Sequence, residues 1–272
     1  MPLANAEKAV WNVDAKSEDL PVNEISNSSD QRMICPVWKC GSREDEPAAA
    51  FDYIRESRSI AMLIFVGVGP GDPELMTLKA ARILRDADAV ALPDRGVAMK
   101  IVEEWIHGKP LLSLDLPMRG GREAWEQAHE RAAEQLLAWL REYPTVAFPV
   151  LGDPGIYATS SYLFRRIQAL HPCEIVPGIP AMCAAAAKLG LPLCEKGEAL
   201  TVLDHFDGDS ELPAGNAVVM KSGKRMDQLR DAARNREAYV VRNLGMEGEW
   251  FGKLSDAPEM DQFYFTTTII KE

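Results

Sequence analysis

The chain has 272 residues, of which 47% are hydrophobic and 26% charged, and its formal net charge is -11 at pH 7. This length accommodates one large domain or two small ones, and the composition is ordinary for a globular protein. The acidic charge excludes a general basic field that would attract nucleic acid or an anionic membrane surface. No uninterrupted apolar run is long enough to span a membrane. Five cysteines, an odd number, and the lack of a signal-peptide pattern predict a cytoplasmic protein with reduced thiols.

Residues 1–61 differ from the rest of the chain in composition. Segments such as NEISNSSDQ and GSREDEP are polar and lack hydrophobic periodicity, which predicts an irregular N-terminal extension. Cys35 and Cys40 in CPVWKC supply only half of a four-ligand zinc site, and no second pair follows at a matching spacing. We therefore expect a linker or tail here, and no metal site.

From Met62 onward, strand and helix patterns alternate, which is typical of an α/β fold. LIFVGVG is an unbroken apolar strand, as expected when both faces of a sheet are covered. DAVALP and TVAFPV are further strands, and a long helix is predicted over residues 123–141. We predict two α/β domains, 62–149 and 150–272. The helix after the first strand has one apolar face, formed by Met76, Ala80, Ile83, Leu84 and Ala87.

A glycine-rich turn follows the first strand, in IFVGVGPGDPELMTLKAARIL (64–84). A strand, a glycine turn and a helix often hold a nucleotide phosphate at the helix N-terminus. Here Asp72 stands at the third glycine position of the dinucleotide fingerprint, Pro70 removes a backbone donor, and no G-K-[ST] follows. A phosphate site is therefore disfavoured. A tight turn that uses glycine for backbone geometry explains the glycines but not Asp72.

Six segments in order carry a family resemblance. VGVGPGDPELMTLKAARIL resembles the N-terminal signature of the tetrapyrrole methylase family, and LGDPGIYATSSYL (151–163) resembles its second glycine-acid motif. EIVPGIPAMCAAAAKLGLPL (174–193) resembles the proline-glycine loop and helix of the family. VVMKSGKRMDQL (218–229), VRNLGMEGE (241–249) and YFTTTIIKE (264–272) follow. Together with LSLDLPM (112–118), they are most similar to the C-20 methyltransferases of precorrin-2 and cobalt-precorrin-2 in cobalamin biosynthesis.

The resemblance implies a two-domain tetrapyrrole methylase fold with S-adenosylmethionine in the interdomain cleft and the first glycine turn beside the tetrapyrrole entrance. Pro180 stands where family members often have Thr or Ser, so a hydroxyl contact is lost there. For Asp153, capping of the next helix remains an alternative to ligand contact. The cofactor residues carried over by motif are Pro70, Leu151, Gly152, Asp153, Ile156, Pro180, Ala181, Met220, Leu244 and Gly245.

A precorrin carries several carboxylates, so an acidic enzyme requires local basic groups to bind it. The alternative for each basic candidate is a solvated surface charge. Asp72 is a candidate for steering the macrocycle or accepting a proton, and no general base is identified. The basic substrate candidates are Arg119, Arg122, Lys221, Lys224 and Arg225.

The activity implied by the resemblance is methylation of C-20 of precorrin-2, with the cobalt form favoured by VVMKSGKRMDQL and YFTTTIIKE. The activated methyl of S-adenosylmethionine needs positioning rather than a protein-bound metal. Two alternatives remain: a methyltransferase for uroporphyrinogen III or a later precorrin, and a non-catalytic binding protein of this fold. The resemblance also implies a homodimer that binds neither nucleic acid nor membrane.

Overall fold

Two five-stranded sheets form the described part of the chain, which in this computed structural model comprises residues 61–93, 96–117, 121–208, 210–258 and 264–272. The alternation of strand and helix predicted from Met62 onward is confirmed in these residues. The predicted extension, with Cys35 and Cys40, lies outside them except for Ala61. Within the described residues, no helix has the length and apolar character needed to cross a membrane.

The first sheet consists of five parallel strands in the order β3-β2-β4-β1-β5. The prediction for LIFVGVG is confirmed, because the strand is buried and helices cover both faces of the sheet. Since β1 lies between β4 and β5, the carboxyl ends of these three strands are neighbours. The bounds are β1 (Met62–Gly67), β2 (Ala89–Pro93), β3 (Leu111–Leu114), β4 (Thr145–Val150) and β5 (Cys173–Val176).

Four helices pack against the first sheet, two on each face. The first begins after Thr77, whose hydroxyl accepts a hydrogen bond from the Ala80 N–H at 3.1 Å. Its predicted apolar face is confirmed for Ala80, Ile83 and Leu84, which are buried. The other two predicted members lie outside the helix, because Met76 precedes the Thr77 cap and Ala87 is the C-cap. The long helix predicted over residues 123–141 is also confirmed. The bounds are α1 (Leu78–Asp86), α2 (Val97–Val102), α3 (Arg122–Glu142) and α4 (Ser160–Ile167).

The second sheet has the order β6-β7-β10-β8-β9, with β6 and β7 parallel and the other neighbours antiparallel. One helix, rich in alanine, packs on one face of this sheet against Val218, Val241 and Ile269, and a second packs on the other face. The bounds are α5 (Ala181–Leu189), β6 (Leu200–Leu203), β7 (Asn216–Met220), α6 (Met226–Ala232), β8 (Ala238–Arg242), β9 (Trp250–Lys253) and β10 (Thr266–Ile270).

The predicted domain boundary, between residues 149 and 150, does not coincide with the end of the first sheet. β5 pairs with β1, so the first sheet extends to Val176 and the second begins at Leu200. The physical reason is that β1 is an inner strand, which needs a hydrogen-bonded neighbour on each side. One neighbour is β4, and the other is β5, which follows residue 150 in the chain. The division of the chain into domains at residue 150 stays a prediction.

Candidate active site

Three backbone turns follow the carboxyl ends of the neighbouring strands β1, β4 and β5. The first turn, after β1, contains Gly69; the second, after β4, contains Gly152; and the third, after β5, contains Gly178. The first two are joined by an isolated antiparallel bridge between Gly69 and Gly152. The Gly152 N–H donates to the Gly69 carbonyl at 2.7 Å, and the Gly69 N–H donates to the Gly152 carbonyl at 3.3 Å. Both residues have positive φ, 80° and 73°, which glycine adopts without strain. The glycines of the two motifs therefore serve the joining of the two turns.

The Asp153 carboxylate connects the second turn to the third. Its Oδ2 accepts the Gly178 N–H at 2.9 Å, and its Oδ1 accepts the Gly155 N–H at 2.7 Å. A side chain at Gly178 would overlap the Gly152 carbonyl oxygen and would lie 2.8 Å from the Gly67 Cα. The three turns thus meet backbone to backbone. The alternative that Asp153 caps the next helix is wrong, because Thr159 is the N-cap of α4.

The loop that follows β8 also contacts the first turn. A Cβ added at Gly245 would lie 2.5 Å from the Asp72 nitrogen, and one added at Gly71 would overlap the Leu244 carbonyl oxygen. The Asp72 side chain accepts the Glu74 N–H at 2.9 Å and is the N-cap of a short 3-10 helix, Pro73–Leu75. This capping is a structural reason for an aspartate at position 72. The need for glycine in a tight turn had explained the glycines but not this residue.

Helix α5 adds an apolar wall and a helix N-terminus to this region. Pro180 is the N-cap of α5, so Ala181 is its first residue. The first N–H groups of a helix have no acceptor within the helix and can bind a ligand instead. Met220, half-buried at the end of β7, and Leu244 belong to the same apolar cluster as the alanines of α5. This cluster links the third turn to the second sheet.

Eight of the ten implied cofactor residues lie at the three turns, at the start of α5 or in the apolar cluster beside them. The other two, Leu151 and Ile156, are placed differently. Leu151 packs against the core of the first sheet. Ile156 is half-buried in the second turn, where its N–H donates to the Asp153 carbonyl at 3.2 Å. Contact of any of these residues with a cofactor stays a prediction. The gathered residues are Pro70, Gly152, Asp153, Pro180, Ala181, Met220, Leu244 and Gly245.

The basic candidates for substrate binding are placed less uniformly. Lys221, in the left-handed region at φ 52°, has its Nζ 3.4 Å from the Tyr157 carbonyl and 5.4 Å from the centre of the Tyr264 ring. Lys224 and Arg225 are exposed in the 3-10 turn after it. These three residues follow β7, beside Met220.

Of the other two basic candidates, Arg122 is described and is the first residue of α3. Arg122 is 91% exposed and pairs with Glu126 on the same helix at 2.9 Å, as the alternative of a solvated surface charge predicts. Arg119 lies outside the described residues. Asp72, by contrast, is half-buried within the first turn. Of the substrate candidates that the structure describes, Asp72 therefore lies within the first turn, and Lys221 contacts the second turn through the Tyr157 carbonyl.

Two features near the turns were missed from the sequence. The Tyr157 hydroxyl donates to the Val202 carbonyl at 2.8 Å, which ties the second turn to the second sheet. Partial burial, with the Asp204 carboxylate nearby, raises the pKa of Tyr157 although about half of the residue is exposed, so the hydroxyl remains a donor at neutral pH. No periodicity or motif spacing signals this contact, because Tyr157 is exposed and lies in a loop.

The second missed feature is an ion pair between Lys188 of α5 and Glu249, with Nζ and Oε2 2.7 Å apart. The other carboxylate oxygen of Glu249 accepts the Gly245 N–H at 3.1 Å. Burial raises the pKa of Glu249, but the Lys188 ammonium and the Gly245 N–H outweigh burial and hold this pKa below its ordinary value. Each residue lies in a quoted motif, but their pairing cannot be read from the sequence.

Two surface cavities lie away from the turns. The larger, about 480 Å³, lies between the end of α6 and strands β8 and β9, and the other, about 380 Å³, lies between α2 and strands β2 and β3. Neither is lined by a residue of the implied cofactor set. Among the residues that the structure describes, no group of three His, Cys, Asp or Glu side chains is placed to hold a metal ion.

The turns gathered at the carboxyl ends of parallel strands are typical of a ligand-binding α/β protein, because ligands of open α/β sheets bind at such ends. Residues 62–257 match the family model of the tetrapyrrole (corrin/porphyrin) methylases. The chain therefore belongs to the tetrapyrrole methylase family and has its fold. It is a methyltransferase, and its methyl donor is S-adenosylmethionine.

Two similar relatives and one solved structure agree with this assignment. The chain is 31% identical over 220 residues to a probable cobalt-precorrin-2 C(20)-methyltransferase of Methanocaldococcus jannaschii, over 76% of this chain and 94% of that protein. It is 30% identical over 233 residues to a precorrin-2 C(20)-methyltransferase of Sinorhizobium, over 78% and 95%. A putative cobalamin synthesis related protein of Corynebacterium diphtheriae has a similar structure, with a TM-score of 0.67, 25% identity and coverage of 79% and 99%.

Proposed function

We propose that this enzyme methylates C-20 of a precorrin-2 macrocycle in cobalamin biosynthesis, with the cobalt-loaded form as its preferred substrate. One observation carries the proposal: two relatives that match more than three quarters of the chain, and nearly their own full length, bear the name of C-20 methyltransferases. One of these names specifies cobalt-precorrin-2 and the other precorrin-2. A cobalt ion would be carried by the substrate and would need no protein ligands.

The open space at the gathered turns supports a cofactor site there. Gly152 is buried, and a Cβ built on it would meet no atom closer than the Ala181 nitrogen at 3.9 Å and the Ile179 carbonyl oxygen at 4.0 Å. The space over Gly152 is therefore open and bordered by a backbone donor and a backbone acceptor. Ligand pockets typically combine such polar groups with apolar walls, and Met220 and Leu244 supply apolar surface nearby.

In this proposal the chain acts mainly by positioning. S-adenosylmethionine, when bound, supplies a methyl group activated by a sulfonium cation. The Ala181 N–H at the start of α5 and the Ile179 carbonyl would orient the cofactor, while the Asp153 carboxylate holds the turn that carries them. Holding two reactants in line can supply much of a rate enhancement. Asp72, at the first turn, would face the pyrrole groups of the macrocycle, and Lys221, after β7, would face its carboxylates.

A direct assay with two substrates tests the proposal. The purified full chain is incubated with methyl-labelled S-adenosylmethionine and either metal-free or cobalt-loaded precorrin-2, and the labelled position is determined by NMR. We expect label at C-20 and faster turnover of the cobalt-loaded form. Gly152→Val is the inactive control, because a β-branched side chain at φ 73° is strained and fills the space over this residue.

Each other outcome contradicts a defined part of the proposal. Faster turnover of metal-free precorrin-2 would overturn the preference for cobalt. Label at another carbon, or faster methylation of uroporphyrinogen III, would replace the C-20 assignment with the alternative of another tetrapyrrole. Cofactor binding without methyl transfer to any of these substrates would support the non-catalytic alternative. The proposal also includes a cytoplasmic homodimer, and light scattering that finds only monomer at all concentrations would contradict its dimeric part.

A further inference from the structure

The loop that connects β8 to β9 has an irregular backbone that must be held in place. Asn243, Gly245 and Gly248 all have positive φ, at 48°, 67° and 74°. The loop fits against the first turn so closely that the added Cβ at Gly245 would lie 2.8 Å from the Asp72 Cβ. A small rotation of the Gly245 peptide would therefore displace the first turn or separate the loop from it.

One carboxylate holds this peptide. Glu249 Oε1 accepts the Gly245 N–H at 3.1 Å, and Glu249 Oε2 pairs with Lys188 Nζ at 2.7 Å. Lys188 belongs to α5, and its ammonium also lies 5.2 Å from the centre of the Phe251 ring on β9. The Glu249 and Lys188 side chains are 24% and 38% exposed, so solvent screens the pair only in part. The carboxylate thus connects the Gly245 backbone to the helix that begins at Ala181.

We propose that Glu249, held by Lys188, is a positioning residue for the S-adenosylmethionine site. Its carboxylate fixes the direction of the Gly245 N–H and with it the Leu244–Gly245 backbone, relative to the N-terminus of α5. This inference rests on the proposed function, in which Leu244, Gly245 and Ala181 border the cofactor. Glu249 acts through the backbone of Gly245 and is not itself expected to touch the cofactor or the macrocycle.

Three variants and one control test the proposal by calorimetry with S-adenosylmethionine. Glu249→Ala removes both contacts, and we expect the Kd to rise about tenfold, as for loss of a hydrogen bond to a charged acceptor. Glu249→Gln keeps an oxygen that can accept the Gly245 N–H. Lys188→Met keeps the Glu249 carboxylate but removes its ion-pair partner. We expect the Kd to rise about threefold in each of these two variants. Glu247→Ala removes the same charge from an exposed site in the same loop, and its Kd should equal that of the unmodified chain.

Steady-state kinetics separate positioning from a general loss of structure. In Glu249→Ala the KM for S-adenosylmethionine should rise while the KM for the tetrapyrrole stays unchanged, and Glu249→Gln should restore most of the loss. Equal Kd values for Glu249→Ala and the unmodified chain, or an equal loss in Glu247→Ala, would overturn the proposal. If Glu249→Ala fails to fold, unchanged Kd values in both Glu249→Gln and Lys188→Met overturn it instead. Failure of the unmodified chain to bind S-adenosylmethionine would refute the cofactor site as a whole, which is a distinguishable result.

Discussion

Replacement of Asp153 by Ala is expected to weaken both the fold and the cofactor site. The change removes two hydrogen bonds from backbone N–H groups, at 2.9 Å from Gly178 and at 2.7 Å from Gly155. The bond to half-buried Gly178 should contribute about 1.5–2.5 kcal/mol, as is usual for a charged acceptor, and the bond to exposed Gly155 about 0.5 kcal/mol. We therefore expect a loss of about 2–3 kcal/mol, or roughly 4–10 °C in Tm for a chain of this size.

The cofactor affinity of Asp153→Ala should fall as well, because the turn that carries Ile179 and Ala181 loses its connection to the turn at Gly152. Thermal unfolding and calorimetry with S-adenosylmethionine measure the two effects separately. Asp88→Ala is the matched control, since the Asp88 Oδ2 also accepts a backbone N–H, from Thr145 at 2.9 Å, at the opposite end of β4. This control should lower the Tm without changing the Kd.

Three results would refute this reasoning about Asp153. An unchanged Tm would mean that its hydrogen bonds do not hold the turns together. An unchanged Kd combined with a lowered Tm would mean that the connection between the turns does not shape the cofactor site. A Kd that rises equally in Asp153→Ala and Asp88→Ala would assign the loss of affinity to general instability of the first sheet.

Three further changes test other parts of the structure. Gly178→Ala should cost about 3 kcal/mol or more, since its Cβ would overlap the Gly152 carbonyl, whereas Gly121→Ala, with open space around it, should cost less than about 1 kcal/mol in urea unfolding. Asp72→Asn keeps a capping oxygen, so we expect normal cofactor affinity but an altered tetrapyrrole KM or kcat; lost cofactor binding with retained tetrapyrrole binding would contradict this. Fully buried His129 has a pKa lowered chiefly by burial, so the unfolded chain binds its proton first and stability should fall as pH drops below about 6.5. His129→Leu should reduce that loss in acid unfolding scans, and an unchanged pH profile would contradict the assignment.

Local patterns in the sequence were sufficient for several of the elements and, through the quoted motifs, for the resemblance to the family. The apolar run of β1 and the helical spacing of Ala80, Ile83 and Leu84 can be recognised without knowledge of distant residues. The order of apolar side chains along the chain indicates whether an element is buried on both faces or on one. The motifs likewise identified the segments that carry the implied cofactor residues. The objection to a phosphate site at Asp72 also required only the charge of one side chain.

The relation between those segments was decided by the tertiary structure alone. The first, second and third turns are adjacent because β1 lies between β4 and β5 with all three strands parallel, and strand order is not contained in any local pattern. The same order extended the first sheet beyond residue 150. The contact of Asp153 with Gly178 depends on this strand order, whereas that of Glu249 with Lys188 depends on the packing of α5 on the second sheet. Each joins residues that only the folded chain brings within hydrogen-bond distance.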